Sequence, residues 1–172
     1  MKKALKNSQS NSKVKVNLGS QILPPNSLQV VEIQIKKLSP GALLPTKEQR
    51  DIPDAGWDLF SAENIRVPGL GKKTVKTGIA LAIPKGWYGN IRNRSGNAVK
   101  TSLMVDAGIV DPGYRGEIMV VLANIGDYPQ DVLKGTKIAQ ILFEQIADVK
   151  FSEMTELPPS DRGEKGFGST GQ

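Results

Sequence analysis

The chain predicts an all-β fold, a sandwich or barrel of short strands, and three observations carry that expectation. Val31, Ile33 and Ile35 alternate with Glu32, Gln34 and Lys36, the period of a half-buried strand. The later apolar runs are short and closed by turn residues, and 172 residues hold 18 glycines and 11 prolines. Only 95–103, opening on Ser95 and running through Ala98 and Val99, has the composition of a short helix.

Taken in order, residues 1–27 form a polar basic arm that cannot build a core and is expected to be flexible. Residues 28–150 form a single β domain, with strands expected at 31–36, 73–83, 87–92, 117–124 and 137–145. Their boundaries are Pro68-Gly69, Pro84-Lys85-Gly86, Pro112-Gly113, Gly126-Asp127 and Lys134-Gly135. Residues 151–172 form an extended C-terminal arm that ends in a glycine-rich segment.

Composition excludes whole classes of chemistry. There is no cysteine, so disulfides, thiolate metal sites and thiol nucleophiles are absent. There is no histidine either, so a general base must be a carboxylate, a lysine, a tyrosine or a bound water. The net charge of +6 is concentrated in Lys2, Lys3, Lys6, Lys13 and Lys15, ahead of the first acidic residue, Glu32. The rest carries about +1 and the aromatic content is 5%, so nucleic acid is not an expected partner. No apolar run approaches the ~18 residues of a membrane span, so the expectation is a soluble protein, cytoplasmic or otherwise intracellular.

Five segments combine a turn with reactive residue types. In 54–62, Asp58 follows a tight glycine position and reads as a turn-capping carboxylate or a site residue. Arg94-Ser95-Gly96 sits at a strand-to-helix junction, where free N–H groups suit an anion or an ordinary N-cap. In 106–117, Asp111-Pro112-Gly113-Tyr114 reads as a hairpin-like turn; Asp111 is a plain turn residue or the base for a nucleophilic water. Gln140, inside an apolar strand, needs a hydrogen-bond partner, structural or ligand. Arg162 opens a stretch with four glycines, two hydroxyls and Phe167, either a disordered end or a loop that folds over an anion.

Together, AGWDLFSA, RSG, AGIVDPGYRG, GTKIAQILFE and RGEKGFGSTG resemble the five ordered motifs of the trimeric dUTP pyrophosphatase (dUTPase) family, from Ala55 onward. The resemblance implies a jelly-roll-like distorted β-barrel and a homotrimer whose active sites are shared between chains. It implies Mg²⁺-assisted hydrolysis of dUTP to dUMP and pyrophosphate, which removes dUTP from the nucleotide pool and supplies dUMP for dTMP synthesis. Asp111 would activate the attacking water and contact the 3′-hydroxyl, and Tyr114 would pack on deoxyribose. The backbone from Gly108 through Ile109 and Val110, with Met119, would bind uracil; Arg94, Ser95, Gly96 and Gln140 would cradle phosphate. Arg162, Phe167, Gly168, Ser169 and Thr170 would close over the nucleotide. Mg²⁺ would be held by the triphosphate with no direct protein ligand, and Asp58 would be structural or reach it through water.

The sequence departs from the family pattern at Trp57, where tyrosine is usual, and at Asn93, Asn97 and Lys137, where proline, leucine and arginine are frequent. A rival of the same fold, dCTP deaminase, needs a glutamate where this chain has Val121.

Overall fold

The computed structural model describes residues 30–48 and 50–164. From Glu32 onward they form one compact unit of ten strands and one helix. The strands are β1 (Gln34–Lys37), β2 (Trp57–Phe60), β3 (Ile65–Val67), β4 (Lys72–Ala82) and β5 (Trp87–Arg92). After helix α1 (Ser95–Lys100) follow β6 (Leu103–Ala107), β7 (Ile109–Val110), β8 (Glu117–Asn124), β9 (Gln130–Val132) and β10 (Lys137–Gln145).

Two four-stranded antiparallel sheets, ordered β1-β4-β8-β6 and β2-β10-β5-β7, bury their apolar faces in one core; β3 and β9 pair separately. Alternation along β8 selects its inner face. Val75, Ile79 and Leu81 of β4 and Ile118, Val120 and Leu122 of β8 join Leu59, Ile91, Ile138, Ala139 and Ile141 from the second sheet. Each full burial of a Val, Leu or Ile stabilises the fold by roughly 1.5–3 kcal/mol. Buried Asn124 is satisfied: its amide donates to the carbonyls of Val67 and Tyr128, and Oδ1 accepts from Ser102 Oγ.

The all-β expectation with one short helix holds, and the strands at 87–92, 117–124 and 137–145 fall where their bounding turn residues place them, whereas the half-buried strand expected at 31–36 begins only at Gln34 and is exposed throughout. The helix is shorter than expected. It ends at Lys100 because Thr101 is extended, its hydroxyl donating to Asn97 O at 2.9 Å, and Leu103 is already the first residue of β6. Arg94, not Ser95, is the N-cap residue, and no side chain caps it.

The Asp111 turn is not a simple hairpin. The segments it joins, β7 and β8, lie in different sheets: β7 pairs with β5, whereas β8 pairs with β6 and β4. The β6–β8 pair is therefore a wide hairpin whose loop places β7 against the second sheet. Among the described residues no helix is long and apolar enough to cross a membrane.

Candidate active site

Two recesses hold most of the expected site residues. The first is a slot of about 380 Å³ whose lining includes Gly108, Ile109, Val110, Asp111, Tyr114 and Met119. The wide hairpin builds it. Gly108 lies so close to β5 that a Cβ there would stand 2.4 Å from Ile91 O, while Gly108 O accepts the Ile91 N–H at 2.7 Å. Only glycine permits that approach. Val110 turns its side chain into the core, so its share of the slot is main chain. Ile109, Tyr114 and Met119 are exposed apolar walls.

Asp111 begins the turn, and its carbonyl accepts the Tyr114 N–H at 3.0 Å. The Tyr114 hydroxyl donates to Glu117 O at 3.1 Å, which sets the ring against the slot. Among the described residues, no side-chain hydrogen bond or ion pair engages the Asp111 carboxylate. A carboxylate at the mouth of a largely apolar slot is free to accept a proton from water.

The second recess, about 250 Å³, is polar and is lined by Asp58, Arg94, Ser95, Gly96, Lys137 and Gln140, among others. Asp58 lies within strand β2, bridged to Thr46 on one side and paired with Gln140 on the other, so the turn-capping reading is overturned. Its carboxylate is clamped: Arg94 Nε donates to Oδ1 at 2.5 Å and Lys137 Nζ stands 2.8 Å from Oδ2. Gln140 finds a structural partner, Nε2 donating to Asn93 O at 2.8 Å. Gly56, read from sequence as a tight turn, lies at a bend just before β2 and also gives clearance to Gln140, whose Oε1 would stand 2.3 Å from a Cβ there. With no side-chain cap, the Ser95 and Gly96 N–H groups keep their donor capacity beside Arg94, whereas the Asn97 N–H already donates to Arg94 O at 3.0 Å.

The two unusual asparagines brace this arrangement. Asn93 Oδ1 accepts the Val105 N–H at 2.6 Å, and Asn97 Nδ2 donates to Lys137 O at 2.9 Å. The recesses have no lining residue in common. Arg162 is described and exposed but lines neither, and Phe167, Gly168, Ser169 and Thr170 lie outside the described residues. Sequence reading missed Thr74, which lines the slot with Val121, the residue noted where dCTP deaminase needs a glutamate. They face each other only through the β4–β8 register, which no local pattern encodes.

The dUTPase family model matches residues 43–171. The deoxyuridine 5′-triphosphate nucleotidohydrolase of fowl adenovirus A serotype 1 is 41% identical over 156 residues, covering 89% of this chain and 86% of that one. Its fowlpox virus counterpart is 44% identical over 143 residues, 81% of this chain and 97% of its own. The structure of the Staphylococcus bacteriophage 80alpha dUTPase with dUPNHPP superposes with a TM-score of 0.76 at 30% identity, over 83% of this chain and 100% of that one. On this match and these relatives, the chain belongs to the dUTPase family.

Proposed function

We propose that the protein hydrolyses dUTP to dUMP and pyrophosphate, with Asp111 orienting a water for attack on the α-phosphorus. The observation that carries this reading is the placement of Asp111 and Tyr114, from one turn, in the same slot as Gly108 and Met119. As water attacks, its proton passes to the Asp111 carboxylate, the new P–O bond forms, and pyrophosphate departs with the bridging oxygen. No side-chain nucleophile is needed, which suits a chain without cysteine or histidine.

The Gly108 and Met119 main chain reads uracil, where a thymine methyl would collide with the hairpin, and Tyr114 packs on deoxyribose and leaves no room for a 2′-hydroxyl. Arg94 and the α1 N–H groups hold the polyphosphate, positioned donors being the main means of stabilising charge in such a transfer. Val121 lines the slot as an apolar residue, which speaks against deamination of a cytosine base.

The assembly is a homotrimer with shared active sites. Support comes from the slot and the polar recess having no lining residue in common within one chain, while one nucleotide must occupy both chemistries. The segment from Arg162 onward, including Phe167, Gly168, Ser169 and Thr170, closes over a site on a neighbouring copy and excludes water, a lid function.

Mg²⁺ fits this donor set as an ion carried by the substrate. Among the described residues no cluster of three acidic groups can hold a metal, and each Asp58 oxygen already faces a cation, which favours a reach to the ion through water over direct ligation. When bound, the ion neutralises phosphate charge.

The test is incubation with dUTP, dCTP, dTTP and UTP in the presence of Mg²⁺, with products separated by chromatography. The expected result is pyrophosphate and dUMP from dUTP alone. Ammonia from dCTP, or no turnover of dUTP, overturns the reading.

A further inference from the structure

Lys137 is left without a task by the proposed mechanism, yet three separate features fix its place. Lys137 and Gln140 are three residues apart, so in a regular strand they would point to opposite faces. The pairing of β10 with β2 slips between Lys137 and Ala139: Lys137 pairs with Phe60 and Gln140 with Asp58. Ile138 and Ala139 are consecutively buried, and this bulge returns Lys137 to the side that carries Asp58. Asn97 then fixes the bulge, its amide donating to Lys137 O at 2.9 Å and Ile138 O at 3.4 Å. Finally, Lys137 Nζ stands 2.8 Å from the Asp58 oxygen that Arg94 does not use.

We propose that Lys137 is a positioning residue for the phosphate cradle: it holds the Asp58 carboxylate neutralised so that Arg94 can turn its guanidinium to the substrate's polyphosphate. The inference rests on reading the polar recess as that cradle. One carboxylate shared by two cations leaves the trio with one net positive charge. The Asp58 side chain is 15% exposed and that of Arg94 27%, so their interaction is only partly screened. Without the lysine charge, Arg94 and Asp58 would form a neutral pair. A polyphosphate would then compete with the carboxylate for one guanidinium, and any withdrawal of Arg94 would leave a bare anion facing the incoming charge. With Lys137 present, Arg94 is aimed by its Nε bond to Asp58 and a longer Nη1 bond to Asn97 Oδ1 at 3.4 Å, while its other N–H groups stay available to the ligand.

The experiment uses the full chain and two readouts: steady-state dUTP hydrolysis, and calorimetric titration with inorganic tripolyphosphate. Lys137→Met should raise KM and weaken tripolyphosphate binding about fivefold, the loss of one charge interaction from a lysine that is itself 42% exposed, with kcat changed less than about twofold. Lys137→Arg should restore both. The double variant Lys137→Met with Asp58→Asn should bind tripolyphosphate several-fold more tightly than Lys137→Met alone, because the uncompensated carboxylate is gone.

A Lys137→Met protein of lower Tm that keeps wild-type KM and tripolyphosphate affinity overturns the proposal. So does a Lys137→Arg protein as weak as Lys137→Met. A double variant no tighter than Lys137→Met also overturns it, and assigns Lys137 a direct contact to phosphate. Should the wild-type chain fail to cleave dUTP, the functional reading falls, while the tripolyphosphate titrations still decide the role of Lys137.

Discussion

Gly108→Ala tests the slot at its tightest point. The added Cβ would lie 2.4 Å from Ile91 O, and a carbon meets a carbonyl oxygen comfortably at about 3.3 Å, so β7 must retreat by about 0.9 Å. That retreat strains the 2.7 Å bond from Ile91 N–H to Gly108 O, the tether of the slot wall to β5. Losing a part-buried backbone hydrogen bond costs about 1–3 kcal/mol. A misplacement on this scale at a reacting site can cost about 10²-fold in rate. The variant should therefore show a lower Tm and a kcat/KM for dUTP reduced about 10²-fold, measured by thermal denaturation and by pyrophosphate release. A protein within twofold of wild type in kcat/KM, with unchanged Tm, would refute the claim that this contact shapes the site.

Other perturbations separate the parts of the account. Asp111→Asn should abolish measurable turnover while dUTP still binds by calorimetry; hydrolysis near the wild-type rate would remove Asp111 as the base. Deleting the chain from Arg162 onward should keep the oligomer, by light scattering, yet sharply reduce hydrolysis, and full activity would show that the segment is not a lid. Ile141→Ala, at a fully buried core position, should destabilise the fold by about 2–5 kcal/mol in urea denaturation. On the outer side of the second sheet, Tyr88 Oη donates to Glu144 Oε2 at 2.5 Å, which together with the Asn90 amide holds the Glu144 carboxyl below its ordinary range. Because the folded value is depressed, that stabilisation is present above the unfolded carboxylate value and fades as pH falls through the folded one. The same bond raises the Tyr88 phenol, whose contribution is lost as pH climbs past its folded value. Tyr88→Phe should accordingly be less stable than wild type at neutral pH, with the difference shrinking in acid; a gap constant with pH would contradict the assignment.

The parts legible in the sequence were those with a long local signature. Runs of six or more residues closed by Gly, Pro, Asn or Asp declared themselves, as β5, β8 and β10 did. Shorter strands were read less well: the alternation over 31–36 meets β1 only from Gln34, and that strand is exposed rather than half-buried; β7 has only Ile109 and Val110, and β2 was masked by the glycine and aspartate that suggested a turn. The motifs located both halves of the site, yet they could not say that Asp58 is clamped by two cations. That arrangement depends on the β10 bulge and on Asn97, neither visible in local composition. Gly56 sits at the bend its sequence suggested, but its closeness to the Gln140 side chain was not visible there. Thr74 became a slot residue only through register with a strand far along the chain.

The most direct measurement is hydrolysis of dUTP in ¹⁸O-enriched water, followed by mass spectrometry of both products. Attack by an Asp111-activated water on the α-phosphorus places the label in dUMP and leaves pyrophosphate unlabelled. Label in pyrophosphate instead would put the attack on the β-phosphorus and contradict the account.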